Sequence, residues 1–181
     1  MKTTLNKIRS HAPCAEGWEK LLTYLGKTKA DDEQLSIATI IDSNGLQDAL
    51  WCLRAVEGYD REIRLYAVWC ARQVQHLLKD QRSISALDVA ERYANGEATE
   101  AELKDARDAA WSGARDAAWA AAWYAADAAA LAAMADAWAE RAAWCARDAA
   151  AWACAEAADT RQEMKQKQEA ELRRICEEVE G

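Results

Sequence analysis

An alanine–tryptophan run from Ala106 to Ala158 constrains this chain more than any other feature. More than half of the run is alanine, it contains no proline, and it holds six of the chain's nine tryptophans. Alanine is the strongest helix former because its side chain loses no entropy when it is ordered. The run therefore predicts a long helix. Steps of three and four between its alanines predict a small-residue stripe against which another helix packs closely.

The rest of the sequence predicts shorter helices that end at glycine or polar residues. Apolar periodicity favours helices over about 3–10, 13–25, 33–44, 46–56, 60–79 and 84–94. Asp31 or Asp32 is expected to cap the helix over 33–44, and Asp80 or Ser83 to start the helix over 84–94. No stretch shows the alternation of a strand. Capping boxes at Thr99/Glu102 and Thr160/Glu163 predict the start of the long helix and a break or kink near Asp159.

These elements predict an all-α fold with a bundle of about five short helices, a long Ala/Trp-rich helical array and a C-terminal polar helix over 161–178. We expect a division into residues 1–96 and 97–181 that share one core. A helix of some 55 residues would span roughly 80 Å, longer than a compact domain of this size. The array therefore either folds back or pairs with a second copy as a homodimer.

Charge and composition exclude several classes of function. The chain carries a net charge of −8, and residues 100–181, with 17 acidic and 10 basic side chains, account for −7 of it. We therefore do not expect the chain to bind nucleic acid directly through a basic surface. No stretch is apolar enough for a membrane span, and the six cysteines are expected as reduced core thiols in a cytoplasmic protein. No metal, cofactor or catalytic motif is recognisable, so we expect no enzyme.

Two clusters of side chains are candidate binding residues. The first is the tryptophan–charge face, on the side of the long helix opposite the alanine stripe, where Trp and Arg, the residues most enriched at binding hot spots, alternate with acids. Its members are Trp111, Arg115, Trp119, Trp123, Arg141, Trp144, Arg147 and Trp152. The second cluster is Arg64, Trp69, Arg72 and Arg92. Each also fits a structural role, as packed core or as an ion-pair network between helices.

The middle of the chain resembles a known family. The segments "RLYAVWCAR" (64–72) and "ALDVAERYANGEATEAEL" (86–103), followed by an alanine-rich array, are similar to all-helical immunity proteins found beside bacterial polymorphic toxins and in phages and prophages. The many tryptophans and aspartates of this array depart from the family's alanine–arginine pattern. The resemblance implies a small protein that neutralises a partner by binding it. It supplies no functional residues.

Three functions follow as hypotheses. The first is a non-enzymatic inhibitor, of bacterial or phage origin, that binds a toxin or defence effector through the tryptophan–charge face. The second is a protein that sequesters a nucleotide-like small molecule in a Trp/Arg pocket. The third is a structural, oligomerising helical protein. Exposure of the indoles separates the first from the third, since a purely structural role buries them.

Overall fold

The fold is all-α, as the sequence predicts. A computed structural model describes residues 1–78, 80–116 and 158–179. Within these ranges the chain forms eight α-helices, two short 3₁₀ helices and one two-stranded sheet. The α-helices are α1 (Leu5–Ser10), α2 (Ala15–Leu25), α3 (Ile37–Asn44), α4 (Leu46–Cys52), α5 (Asp60–Arg72), α6 (Gln81–Ala94), α7 (Glu100–Asp116) and α8 (Ala158–Glu178). The strands are β1 (Lys2–Thr3) and β2 (Leu35–Ser36), and the 3₁₀ helices are Leu53–Ala55 and Gln75–Leu77.

The chain divides into two compact units. Unit 1 comprises Met1–Tyr59 together with Glu169–Gly181, and unit 2 comprises Asp60–Gln168. Unit 1 is therefore discontinuous in sequence, because the end of α8 belongs with the first five helical segments. The expected division into 1–96 and 97–181 stays a prediction, since much of its second part lies outside the described residues.

A short antiparallel pair in unit 1 corrects two expectations. Lys2 pairs with Ser36 and Thr3 with Leu35, whereas no strand was predicted. Ser36, and not Asp31 or Asp32, is the N-cap of α3, where its hydroxyl accepts a hydrogen bond from Ala38 N at 3.2 Å. Two-residue strands are too short to show alternation, and their pairing joins residues far apart in sequence. The strand pair is therefore not visible as a local pattern. Because this pairing holds Leu35 and Ser36 extended, the helix begins only at Ile37.

The core of unit 1 combines the N-terminal helices with the C-terminal segment. Leu21 of α2 is buried, and α2 ends at Gly26, whose φ of 65° is the left-handed cap conformation. From α8, Arg173 forms an ion pair with Asp42 of α3 at 2.8 Å. Fully or nearly fully buried side chains of this unit include Leu5, Ile8, Ile37, Ile40, Leu50, Leu53 and Leu172.

Unit 2 is built on α5, α6 and α7, with α6 packed along α7. The helix predicted over 60–79 is shorter than expected, because α5 ends at Arg72 and a 3₁₀ turn replaces its last part. Of the two residues predicted to start the next helix, Asp80 is the N-cap of α6 and accepts a hydrogen bond from Arg82 N at 2.8 Å. Small residues permit the close packing of these helices, since Ala67, Ala71, Ala86, Ala90 and Ala110 are fully buried. Ala110 is the first residue of the predicted small-residue stripe.

The first capping box is confirmed, and the predicted break or kink near Asp159 borders residues that lie outside the described part of the chain. Thr99 N donates to Glu102 Oε2 at 2.7 Å, and Glu102 N donates to Thr99 Oγ1 at 3.2 Å. The final helix α8 begins at Ala158, three residues before the predicted start at 161, and ends at Glu178 as predicted. A Thr and a Glu three residues apart also fit the first turns of a helix, so the pattern alone does not fix the residue at which a helix begins. Four apolar side chains are predicted to seat this helix: Met164, Leu172 and Ile175 are buried, whereas Val179, just beyond its last residue, is only half-buried.

Candidate functional site

The described part of the tryptophan–charge face lies on α7. Trp111 is 38% exposed and, with Tyr24, is one of two large hydrophobic residues that are exposed within the described ranges. Asp105 and Asp108 precede it at steps of three and are also exposed, whereas Leu103 and Ala110 on the opposite side are buried. Residues three apart are neighbours on a helix surface. We call Asp105, Asp108 and Trp111 the α7 row.

The charges next to the α7 row are partly paired. Arg107 donates from both Nε and Nη2 to Asp108 Oδ1, each at 3.1 Å. The Asp108 side chain is 57% exposed and that of Arg107 is 21% exposed, so the pair lies at the surface. Ser112 Oγ donates to the backbone oxygen of Asp108 at 3.1 Å. The solvent side of α7 therefore presents carboxylates and one indole.

The other members of this face cannot be placed. Arg115 lies in the last turn of α7, but its side chain is outside the described part. The remaining six lie outside the described residues altogether; they are Trp119, Trp123, Arg141, Trp144, Arg147 and Trp152. Trp111 is therefore the one member of this face whose side chain the structure describes.

The second cluster does not converge on one point. Arg64 of α5 is only 5% exposed, and its guanidinium lies 5.0 Å from the ring centroid of Tyr93 on α6. Burial lowers the pKa of the Arg64 guanidinium, and the nearby Tyr93 and Asp60 oppose this effect. Trp69 is half-buried and stacks on Tyr66, with 6.4 Å between ring centroids and 16° between planes. Both aromatic pairs lie inside the packing of unit 2.

Arg72 and Arg92 form ion pairs between helices. Arg72 Nη2 lies 3.0 Å from Asp88 Oδ1 and 2.5 Å from Glu91 Oε2, both on α6. Partial burial lowers the pKa of Arg72, but the hydrogen bonds to Glu91 and Asp88 outweigh it and the net shift is upward. Arg92 Nη2 donates to the backbone oxygen of Glu97 at 3.0 Å and lies 3.5 Å from Glu102 Oε1. These arginines thus connect α5 to α6 and α6 to α7.

Comparison with protein-family models, curated proteins and solved structures found no match. The function therefore has to be argued from the geometry. Among the described helices, none combines the length and the apolar character that a membrane crossing requires. The described ranges also contain no group of three or more His, Cys, Asp and Glu side chains placed to hold a metal ion.

Cysteine chemistry gives one further constraint. Cys52, Cys70 and Cys176 are buried in the core, whereas Cys14 is exposed at the N-cap of α2. Burial raises the pKa of the Cys52 thiol to about 12. Because the thiolate is the reactive form, Cys52 is inert at neutral pH.

Several residues that shape these clusters were missed by sequence reasoning. The partner of Arg64 is Tyr93, 29 positions later, and no local pattern joins them. The same holds for Arg61 Nη2, which donates to Asn95 Oδ1 at 2.8 Å. The α7 row could have been found, because Asp105, Asp108 and Trp111 follow one another at helical steps of three.

Proposed function

We propose that this chain is a non-enzymatic, immunity-type inhibitor of bacterial or phage origin that neutralises a toxin or defence effector by binding it. The observation that carries this proposal is the exposure of Trp111 on the solvent side of α7. We place the contact on the tryptophan–charge face, of which Trp111 is the described member. Action in the cytoplasm of a bacterial cell or a phage-infected host is part of the proposal.

An exposed indole among charged side chains suits a protein contact. Tryptophan is the residue most typical of interface hot spots, where it is surrounded by polar groups that exclude water. Trp111 has this setting, with Asp108 and Arg107 beside it and the rest of α7 packed on α6. Binding a partner would remove its indole from water without rearranging the core of unit 2.

Binding without catalysis is supported by the state of the other reactive groups. Arg72 and Arg92 are engaged by carboxylates of neighbouring helices, and Arg64 is buried against Tyr93. The thiol of Cys52 is protonated at neutral pH. Within the described ranges, these charged groups thus stabilise the fold, which supports the α7 row as the surface for a partner.

A protection assay tests the proposal. The chain is expressed in a panel of bacterial strains, each of which carries one inducible toxin or one phage-defence effector. We expect the wild-type chain to rescue growth, or phage replication, in at least one strain. Trp111→Ala should lose this protection because it removes the exposed indole. The variant should keep its fold, since alanine forms helix better than tryptophan does.

Tyr24→Ala is the matched control, since it removes the other exposed aromatic side chain, on α2 of unit 1. It should protect as well as the wild type. Protection in no strain, or full protection by Trp111→Ala, would show that the proposed function is wrong. A nucleotide-like molecule that copurifies and is lost in Trp111→Ala would instead favour the sequestration hypothesis.

A further inference from the structure

The α7 row has the composition of a receptor for a cationic side chain. It joins two exposed carboxylates, Asp105 and Asp108, to one exposed indole, Trp111, along a single ridge of the helix. We infer that the α7 row binds an arginine of a basic segment on the protein partner. This inference rests on the proposed function and names the chemistry of its contact.

The spacing of the row fits a guanidinium. Side chains three residues apart on a helix have Cβ atoms about 5–6 Å apart. A guanidinium that stacks on the Trp111 indole can therefore also donate hydrogen bonds to the Asp108 carboxylate. Arginine suits both contacts because its planar group stacks on aromatic rings and pairs with carboxylates through two N–H donors. Lysine offers a point charge only.

The same chemistry occurs twice among the residues that the structure describes. The guanidinium of Arg54 lies 4.3 Å from the ring centroid of Trp51, and that of Arg64 lies 5.0 Å from that of Tyr93. Trp111 has no comparable ring contact with any described residue. Arg107, one helical turn before Trp111, donates hydrogen bonds to Asp108 and does not stack on the indole. Among the described residues no arginine covers the indole face, which leaves it open to an arginine of a partner.

Charge also selects a basic occupant over an acidic one. From Glu100 to Ser112, four acidic side chains outnumber two basic ones. Asp105 is exposed and forms no ion pair with the described part of the chain. The Arg107–Asp108 pair is at the surface, where water screens it, so an incoming arginine can share Asp108 at little cost. Phosphate groups would be repelled by the same carboxylates.

A titration with short peptides tests this inference directly. The probe is an acetylated, amidated hexaarginine peptide, and a hexaglutamate peptide is the charge control. Binding is followed by the ¹⁵N-indole resonances of the full chain, with the Trp111 signal identified from the Trp111→Phe variant. We expect the Trp111 resonance to shift in a saturable manner with hexaarginine and to stay unchanged with hexaglutamate.

Charge-matched variants separate a specific contact from general attraction. Asp105→Asn with Asp108→Asn should weaken hexaarginine binding at Trp111 by roughly tenfold, as for loss of an interfacial charge pair. Glu19→Gln with Asp32→Asn makes the same change in net charge on exposed positions of unit 1, and it should leave binding within about twofold of the wild type. Circular dichroism verifies that both double variants keep their helix content.

The inference is overturned if hexaarginine does not shift Trp111, or if the two double variants weaken binding equally. Its failure is distinct from failure of the proposed function, which the protection assay decides. Protection that depends on Trp111 but not on Asp105 and Asp108 would keep the inhibitor function and reject the arginine contact. Hexaarginine binding at Trp111 without protection in any strain would keep the arginine contact and reject the inhibitor function.

Discussion

A methyl group added at Gly17 should reveal how tightly α2 is held against α3 and α4. A Cβ atom at this position would lie 2.9 Å from Asp48 Oδ2 and 3.2 Å from Cys14 Sγ. Asn44 Nδ2 donates to Gly17 O and to Asp48 Oδ2, each at 2.8 Å. Gly17→Ala therefore pushes the Asp48 carboxylate away from the amide that binds it.

Two effects of opposite sign compete in this variant. Replacing glycine by alanine inside a helix stabilises it by about 1 kcal/mol. Loss of the charged hydrogen bond between Asn44 and Asp48 costs about 1.5 kcal/mol, near the low end for such bonds because Asp48 is half-exposed. We expect Gly17→Ala to destabilise unit 1 by about 0.5 kcal/mol. In an Asp48→Ala background the same substitution should stabilise it by about 1 kcal/mol.

The measurement is a double-mutant cycle on Gly17→Ala and Asp48→Ala. Native-state hydrogen exchange at the amides of α2 and α3 gives the free energy of opening for unit 1 separately from unit 2. We expect a coupling energy of about 1.5 kcal/mol between the two positions. Equal stabilisation by Gly17→Ala in both backgrounds would mean that the 2.9 Å approach does not exist, and the packing described for α2 would be wrong.

Three further predictions concern the C-terminal segment, the capping box and the thiols. Leu172→Ala should destabilise unit 1 by about 2–5 kcal/mol, as for other buried leucines, whereas Glu177→Ala, at an exposed position, should have little effect. Hydrogen exchange at the amides of α1 and α3 measures the stability of unit 1 in both variants. If Leu172→Ala leaves that stability unchanged, the C-terminal segment does not belong to unit 1. Hydrogen bonds from Thr99, first from its backbone N–H and then from its hydroxyl, lower the pKa of Glu102 below its ordinary value of 4.5. The stabilisation by the Glu102 charge is therefore complete above pH 4.5 and is lost as the pH falls through the lower pKa of the folded state. Glu102→Gln should therefore be less stable than the wild type at pH 7, and the difference in unfolding free energy should narrow below pH 4.5; a difference independent of pH would contradict the charged cap. At neutral pH, iodoacetamide should alkylate Cys14 well before Cys52, and mass spectrometry of the digested chain would show the reverse order if Cys52 were exposed.

Among the described candidate residues, the position of Trp111 was open to prediction and the surroundings of Arg64 were not. The tryptophan and charge spacing on α7 predicts an exposed indole beside carboxylates, because a helix converts sequence steps directly into neighbours on its surface. The environments of Arg64 and Arg72 were not decided by their own helix. Tyr93, Asp88 and Glu91 reach them from α6, so burial and pairing depend on how two helices pack.

The sequence by itself determined the helical class, the Thr99/Glu102 capping box and the glycine end of α2, because each depends on residues within one or two turns of the chain. Only the tertiary structure decided that β1 pairs with β2 and that Glu169–Gly181 completes the N-terminal unit. Such features join residues tens to more than a hundred positions apart, and the burial of apolar surface that selects them exists only once the chain has folded.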